Sequence, residues 1–183
     1  MKSDITRDTF FAEKHFSRVI RQQGRVDVDA DTNEQTSILL HYLRTLAADL
    51  IGPYAAPVTD AGFRLGTDSD GKLSISAGRY YVDGILVEND ASCLYTKQPY
   101  NPLAENDPLT KALTDKPNAT RYWVYLDVWE RHITFIEDDS IREKALGGPD
   151  TCTRAKVTWQ VRALDVSDNA FQEIGRASCR ERV

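Results

Sequence analysis

The chain has 183 residues, 41% of them hydrophobic and 28% charged, with a formal net charge of −5. That balance fits an ordinary globular domain and excludes collagen, a coiled-coil rod and a wholly disordered chain. No apolar run approaches the roughly 20 residues of a membrane-spanning helix. No basic cluster marks a nucleic-acid face either, so membrane insertion and nucleic-acid binding are both set aside.

The opening residues lack the apolar stretch of a signal peptide, so a cytoplasmic origin is expected. Residues 1–33 read as an extended arm carrying Phe10, Phe11 and Phe16. Phe16, Val19 and Ile20 stand at helical spacing, which suggests a short helix near 12–22 ended by Gly24. Val26 to Asp31 then alternates apolar and acidic, the period of a half-exposed strand or arm. The firmest element is a helix over about 32–51. Leu39, Leu43, Leu46 and Leu50 recur at i, i+4, i+7 and i+11, with Ile38, Ala47 and Ile51 widening a stripe expected to face the core. Asp31 and Glu34 read as a capping box, and Gly52-Pro53 as the stop.

From Gly62 the pattern turns to β. Asp68-Ser-Asp-Gly71 separates two short runs as a hairpin turn does. Gly78-Arg-Tyr-Tyr-Val-Asp-Gly84 leads into Ile85–Glu88, its glycines suggesting tight turns or a close backbone approach. With the helix, this makes a small β subdomain over 34–95. Residues 96–120 hold Pro99, Pro102, Pro108 and Pro117 and form the internal boundary, with a short helix near 108–113. The second β section spans 121–173. Its first strand, Arg121–Trp129, has apolar or aromatic groups on both faces and reads as a central strand. Glu130-Arg131 is expected to turn into His132–Ile136, and Ser140–Leu146 to form a short helix closed by Gly147-Gly148. Arg154–Ala163 alternates, with Ala155, Val157, Trp159, Val161 and Ala163 inward. The fold class is therefore α+β: mainly antiparallel sheet with one long amphipathic helix after an extended arm.

No catalytic constellation emerges. Asp27, Asp29 and Asp31 invite a calcium reading, but the sixth and twelfth positions of an EF-hand loop fall on Thr32 and Ile38 instead of Gly and Glu. His15, His41 and His132 form no metal motif, and Cys93, Cys152 and Cys179 are too far apart in sequence for a knuckle. Glu130 and Glu137-Asp138-Asp139 follow strands at turns, where carboxylates are usually solvated. No phosphate loop, dinucleotide fingerprint or nucleophile elbow occurs. No cofactor, metal ligand or catalytic residue is nominated, and the chain reads as a non-enzyme. The candidate interaction residues are Tyr80, Tyr81, Trp123 and Trp129, aromatic groups in strands that suit a core, a subunit interface or a sugar platform.

Several blocks carry a resemblance. They are Arg7–Phe10, His15–Val19, Gln22–Val26, Asp29–Gln35, Gly78–Gly84, Tyr125–Arg131 and Leu146–Asp150. In this order they resemble the N-terminal region of an uncharacterised bacterial family associated with phage-tail-like and contractile-injection genes. The likeness spans about residues 1–165, with Thr32 standing where that pattern leads one to expect Trp. Ser76–Gly84 is also similar to strands of phage baseplate and tail-fibre attachment domains. The resemblance implies a structural or adaptor component, with other particle subunits or further copies of the chain as partners. The alternatives are a carbohydrate-binding module, with a glycan as ligand, and the non-catalytic N-terminal part of a larger enzyme. The last ten residues, 174–183, resemble read-through of a sequencing adapter. They carry three Arg and one Glu, so excluding them takes the net charge from −5 to −7 and leaves a fragment.

Overall fold

The computed structural model describes residues 7–100, Leu109 and 122–165. The adapter-like tail lies outside them, as does the expected helix near 108–113 apart from Leu109. The fold is α+β, and the chain divides into two units. A helical unit comprises Lys2–Ala55 with Tyr81–Leu86, and a sheet unit comprises Ala56–Tyr80 with Val87–Val183.

In the helical unit, helix α1 runs Asp29–Ile51. It opens three residues earlier than expected, because Val28 in extended conformation is the N-cap and offers no side-chain cap. The capping box is thereby overturned. Asp29 and Asp31 sit inside the first turn, where carboxylates favour the positive end of the helix dipole. The stop falls where expected: Gly52 takes a φ of 100° and its N–H donates to the Ala48 carbonyl at 2.8 Å. Ahead of α1 the expected helix near 12–22 shrinks to a 3-10 turn at Ala12–Lys14, closed by His15 in left-handed conformation. Phe16 and Ile20 stay exposed. The alternating stretch 26–28 forms no strand, and Val28 at its end is extended.

Strand β1 (Tyr54–Ala55) pairs antiparallel with β4 (Gly78–Val82), Tyr54 opposite Val82 and Ala55 opposite Tyr81. β5 (Ile85–Asn89) flanks β4 on its other side. The turn between β4 and β5 belongs to the helical unit and the outer ends of both strands to the sheet unit. Gly84, at φ 74°, lies against α1: a Cβ there would stand 2.2 Å from the Arg44 carbonyl oxygen. Only glycine permits that approach.

In the sheet unit, β2 (Leu65–Thr67), β3 (Leu73–Ile75) and β6 (Cys93–Leu94) form a second sheet in the order β2-β3-β6. The β2–β3 turn uses Asp68 as expected. Its N–H donates to the Lys72 carbonyl, and its Oδ1 accepts the N–H groups of Asp70 and Lys72 at 2.9 Å each. Gly62 and Gly78 touch backbone to backbone, since a Cβ on Gly62 would meet the Gly78 carbonyl carbon at 2.4 Å. That is the close approach the glycines of this region suggested.

β7 (Tyr122–Ile133) and β8 (Arg154–Asp165) form a two-stranded antiparallel ribbon in full register, from Tyr122 opposite Asp165 to Ile133 opposite Arg154. Two expectations fall here. β7 runs straight through Glu130-Arg131, and the chain turns only at 134–138, where the Glu137 and Asp138 N–H groups donate to the Thr134 carbonyl. Among the described residues β7 pairs on one side only, so it is an edge strand and not a central one. The expected 140–146 helix is two separate 3-10 turns, Asp139–Ile141 and Lys144–Leu146, because the Asp138 and Glu143 side chains each cap a turn of their own. The core of this unit holds Ile75, Val87, Tyr95, Ile133, Trp159 and Val161.

Candidate functional site

The four aromatic residues singled out by sequence do not converge. Tyr80 and Tyr81 are neighbours in β4 and point to opposite faces, as successive strand residues must. Tyr80 meets the Phe63 ring edge-on at 6.4 Å, and Phe63 meets Trp159 at 4.9 Å, so Tyr80, itself half-buried, joins an aromatic cluster around Trp159. Tyr81 is half-buried opposite Ala55. Trp123 and Trp129 share one face of β7, and six residues of strand set them about 20 Å apart. Trp123 is 53% exposed, whereas Trp129 is half-buried.

Trp159 is the aromatic residue that organises the sheet unit. It is buried, its Nε1–H donates to the Glu88 carbonyl at 3.0 Å, and Phe63 and Tyr100 pack edge-on against it. Beside it, sequence reasoning missed Gln98. This buried side chain donates from Nε2 to the Val161 carbonyl at 2.8 Å and accepts the Val161 N–H on Oε1 at 2.6 Å. Gln98 thus does for the outer edge of β8 what a neighbouring strand would. The signal was weak, because a glutamine beside prolines reads as a solvated loop residue.

The acidic groups are engaged in local structure. Asp27 pairs with Arg21 at 2.8 Å, Glu137 with Arg131, and Asp139 with Arg142 at 2.6 Å. Asp138 accepts from both the side chain and the backbone of Ser140, and these bonds hold its pKa below the usual carboxylate range. Burial pushes the Cys93 thiol up, away from the thiolate that nucleophilic chemistry needs. Among the described residues no group of three or more His, Cys, Asp or Glu side chains is placed to hold a metal ion. His41 packs against Phe10 at 5.6 Å, and the buried Nε2 of His132 has no hydrogen-bond partner among the described residues. No helix among the described residues is long and apolar enough to cross a membrane.

What the helical unit presents is surface. The arm lies along the first turns of α1. Thr9 Oγ1 donates to Glu34 Oε2, the Val19 N–H donates to Gln35 Oε1 at 2.9 Å, and Arg21 Nη2 donates to Thr32 Oγ1 at 3.3 Å. Beyond these contacts the same helix face becomes apolar and bare. Leu39, Leu43, Leu46 and Leu50 are 53%, 61%, 56% and 77% exposed, with Leu40, Tyr42 and Ile51 open beside them. The four leucines expected to be buried are therefore bare, while Ile38 and Ala47, placed in the same stripe, are buried and half-buried. Ala30 and Ile38 are the buried residues of α1, and the Gly84 turn touches the helix backbone at Arg44.

The fold and surface define an α+β protein whose most prominent exposed feature is an apolar helix face continued by an arm. The chain belongs to a family of unknown function (DUF6519), which matches residues 1–180 and so reaches into the tail that lies outside the described residues. No curated protein and no solved structure matches it.

Proposed function

We propose that this chain is a non-enzymatic structural or adaptor component of a phage-tail-like particle, made in the cytoplasm and assembled with other particle subunits. The observation that carries the reading is the concentration of exposed large apolar side chains on the arm and α1: Phe11, Phe16, Ile20 and Val26, then the leucines of the helix. Contiguous apolar surface of this kind marks a site that another surface covers. The block resemblance supplies the class of assembly. An arm held to a helix by a few hydrogen bonds also suits assembly, since it can be repositioned at low cost when a partner docks. The test is affinity purification of the tagged chain from a host carrying sheath, tube and baseplate genes. Those proteins are expected in the eluate; their absence, with the chain itself recovered, overturns the reading.

A carbohydrate-binding module draws support from the half-exposed indole of Trp123 on the ribbon. The separation from Trp129 weakens it, because a sugar ring stacks on one aromatic face and gains most from a second nearby. A glycan array that shows binding abolished by Trp123→Ala would move the weight to this reading.

A further inference from the structure

The bare face of α1 has a more specific geometry than an apolar patch. Leu39, Leu43, Leu46 and Leu50 are separated by four, three and four residues, which is the alternation of the d and a positions of a heptad. Such a row stays on one side of a slightly supercoiled helix and presents knobs to a second helix crossing at about 20°. We propose that this seam is a self-association surface, and that its occupant is the same seam of a second copy of the chain. The inference rests on reading the helix face as an interface and does not depend on the particle assignment.

Three observations select a second copy. The first is charge. Thr36, Gln35, Leu40, Tyr42, Ala47 and Asp49 flank the row, so a single formal charge borders it. Two copies can meet without repulsion, and nothing there calls for a basic or acidic partner. Across its full length α1 carries Asp29, Asp31, Glu34 and Asp49 against Arg44 alone, which disfavours an anionic membrane surface. The second is area. Five leucines, Tyr42 and Ile51, between 42% and 77% exposed, present on the order of 700 Å², close to the roughly 800 Å² per partner of a standard interface. The third is self-complementarity. A two-fold pair requires one patch to fit itself, and a row of four like side chains at heptad spacing meets that condition.

The test is sedimentation velocity and light scattering on the full chain across a concentration series. A concentration-dependent dimer is expected. Leu43→Glu and Leu50→Lys, at exposed positions on the seam, are expected to weaken it at least 100-fold with the far-UV circular dichroism unchanged. Val58→Glu, at a position 98% exposed in the sheet unit, is expected to leave it intact. Leu46→Ala, which adds no charge, serves if a charged variant fails to fold, and is expected to weaken the dimer about tenfold. A chain that is monomeric at every concentration overturns the proposal, and so does a dimer indifferent to all three seam variants. A monomer that still co-purifies with particle components overturns self-association alone, and a dimer that captures none of them overturns the particle reading alone.

Discussion

At the scale of single residues, the sheet unit depends on side chains that replace missing backbone. Gln98 satisfies both main-chain groups of Val161 in a buried setting. Gln98→Ala leaves an N–H and a C=O without partners away from water, which costs about 2–4 kcal/mol. A matching drop in stability is expected from urea denaturation followed by tryptophan fluorescence. Gly84 is the counterpart in the helical unit. Gly84→Ala adds a methyl group at positive φ and against the Arg44 carbonyl, and is expected to destabilise by about 2 kcal/mol or more. Loss of helical signal at lower denaturant is the readout. Asp138 gives a pH-dependent case. Hydrogen bonds from Ser140 lower its pKa in the folded state. Its contribution is therefore full above the unfolded carboxylate pKa and is lost as pH falls through the folded one. Asp138→Ala is expected to lower the denaturation midpoint at neutral pH, and the difference from the parent chain is expected to vanish in strong acid.

At the scale of elements, the sequence was informative about type and less so about orientation. The leucine spacing and Gly52-Pro53 placed α1, the Asp68–Gly71 segment placed the β2–β3 turn, and the alternation over 154–163 placed β8. The burial of α1 was misread for a physical reason. Periodicity shows that a helix has an apolar face but not what lies opposite it, and here Ile38 of that face is buried while its four leucines are bare. The β7 misreading has a similar cause, because Glu130-Arg131 is a polar pair that a ribbon edge tolerates as readily as a turn does. The candidate aromatic residues divided between half-buried (Tyr80, Tyr81, Trp129) and exposed (Trp123), which alternation alone could not sort. The arm makes its own prediction. Its main-chain tie to α1 runs through Gln35, so Gln35→Ala is expected to loosen it and to speed tryptic cleavage after Arg18 and Arg21 several-fold. Limited proteolysis followed by mass spectrometry reads this directly.

At the scale of the whole molecule, burial is unevenly shared. Among the described residues, six of the eight buried hydrophobic ones, Ile75, Val87, Tyr95, Ile133, Trp159 and Val161, belong to the sheet unit, and Ala30 and Ile38 are the helical unit's share. All three tryptophans are in the sheet unit as well, while α1 supplies the long helix. The two probes therefore report on different units. In denaturant the helical ellipticity at 222 nm is expected to fall before the tryptophan fluorescence changes, since fewer buried contacts hold the helix. Coincident transitions would show instead that the units unfold together.

The turn between β4 and β5 has a consequence for how such a gene can change. The helical unit takes residues 81–86 from the middle of the stretch that builds the sheet unit. A crossover at residue 56 would part α1 from the hairpin that touches it, and one after residue 86 would carry 56–80 away from the strands they join. Neither unit can be traded as a module. A joint after Asn89 would likewise part β3 from β6 and Phe63 from Trp159, so the two units are inherited, and must be engineered, as one indivisible block.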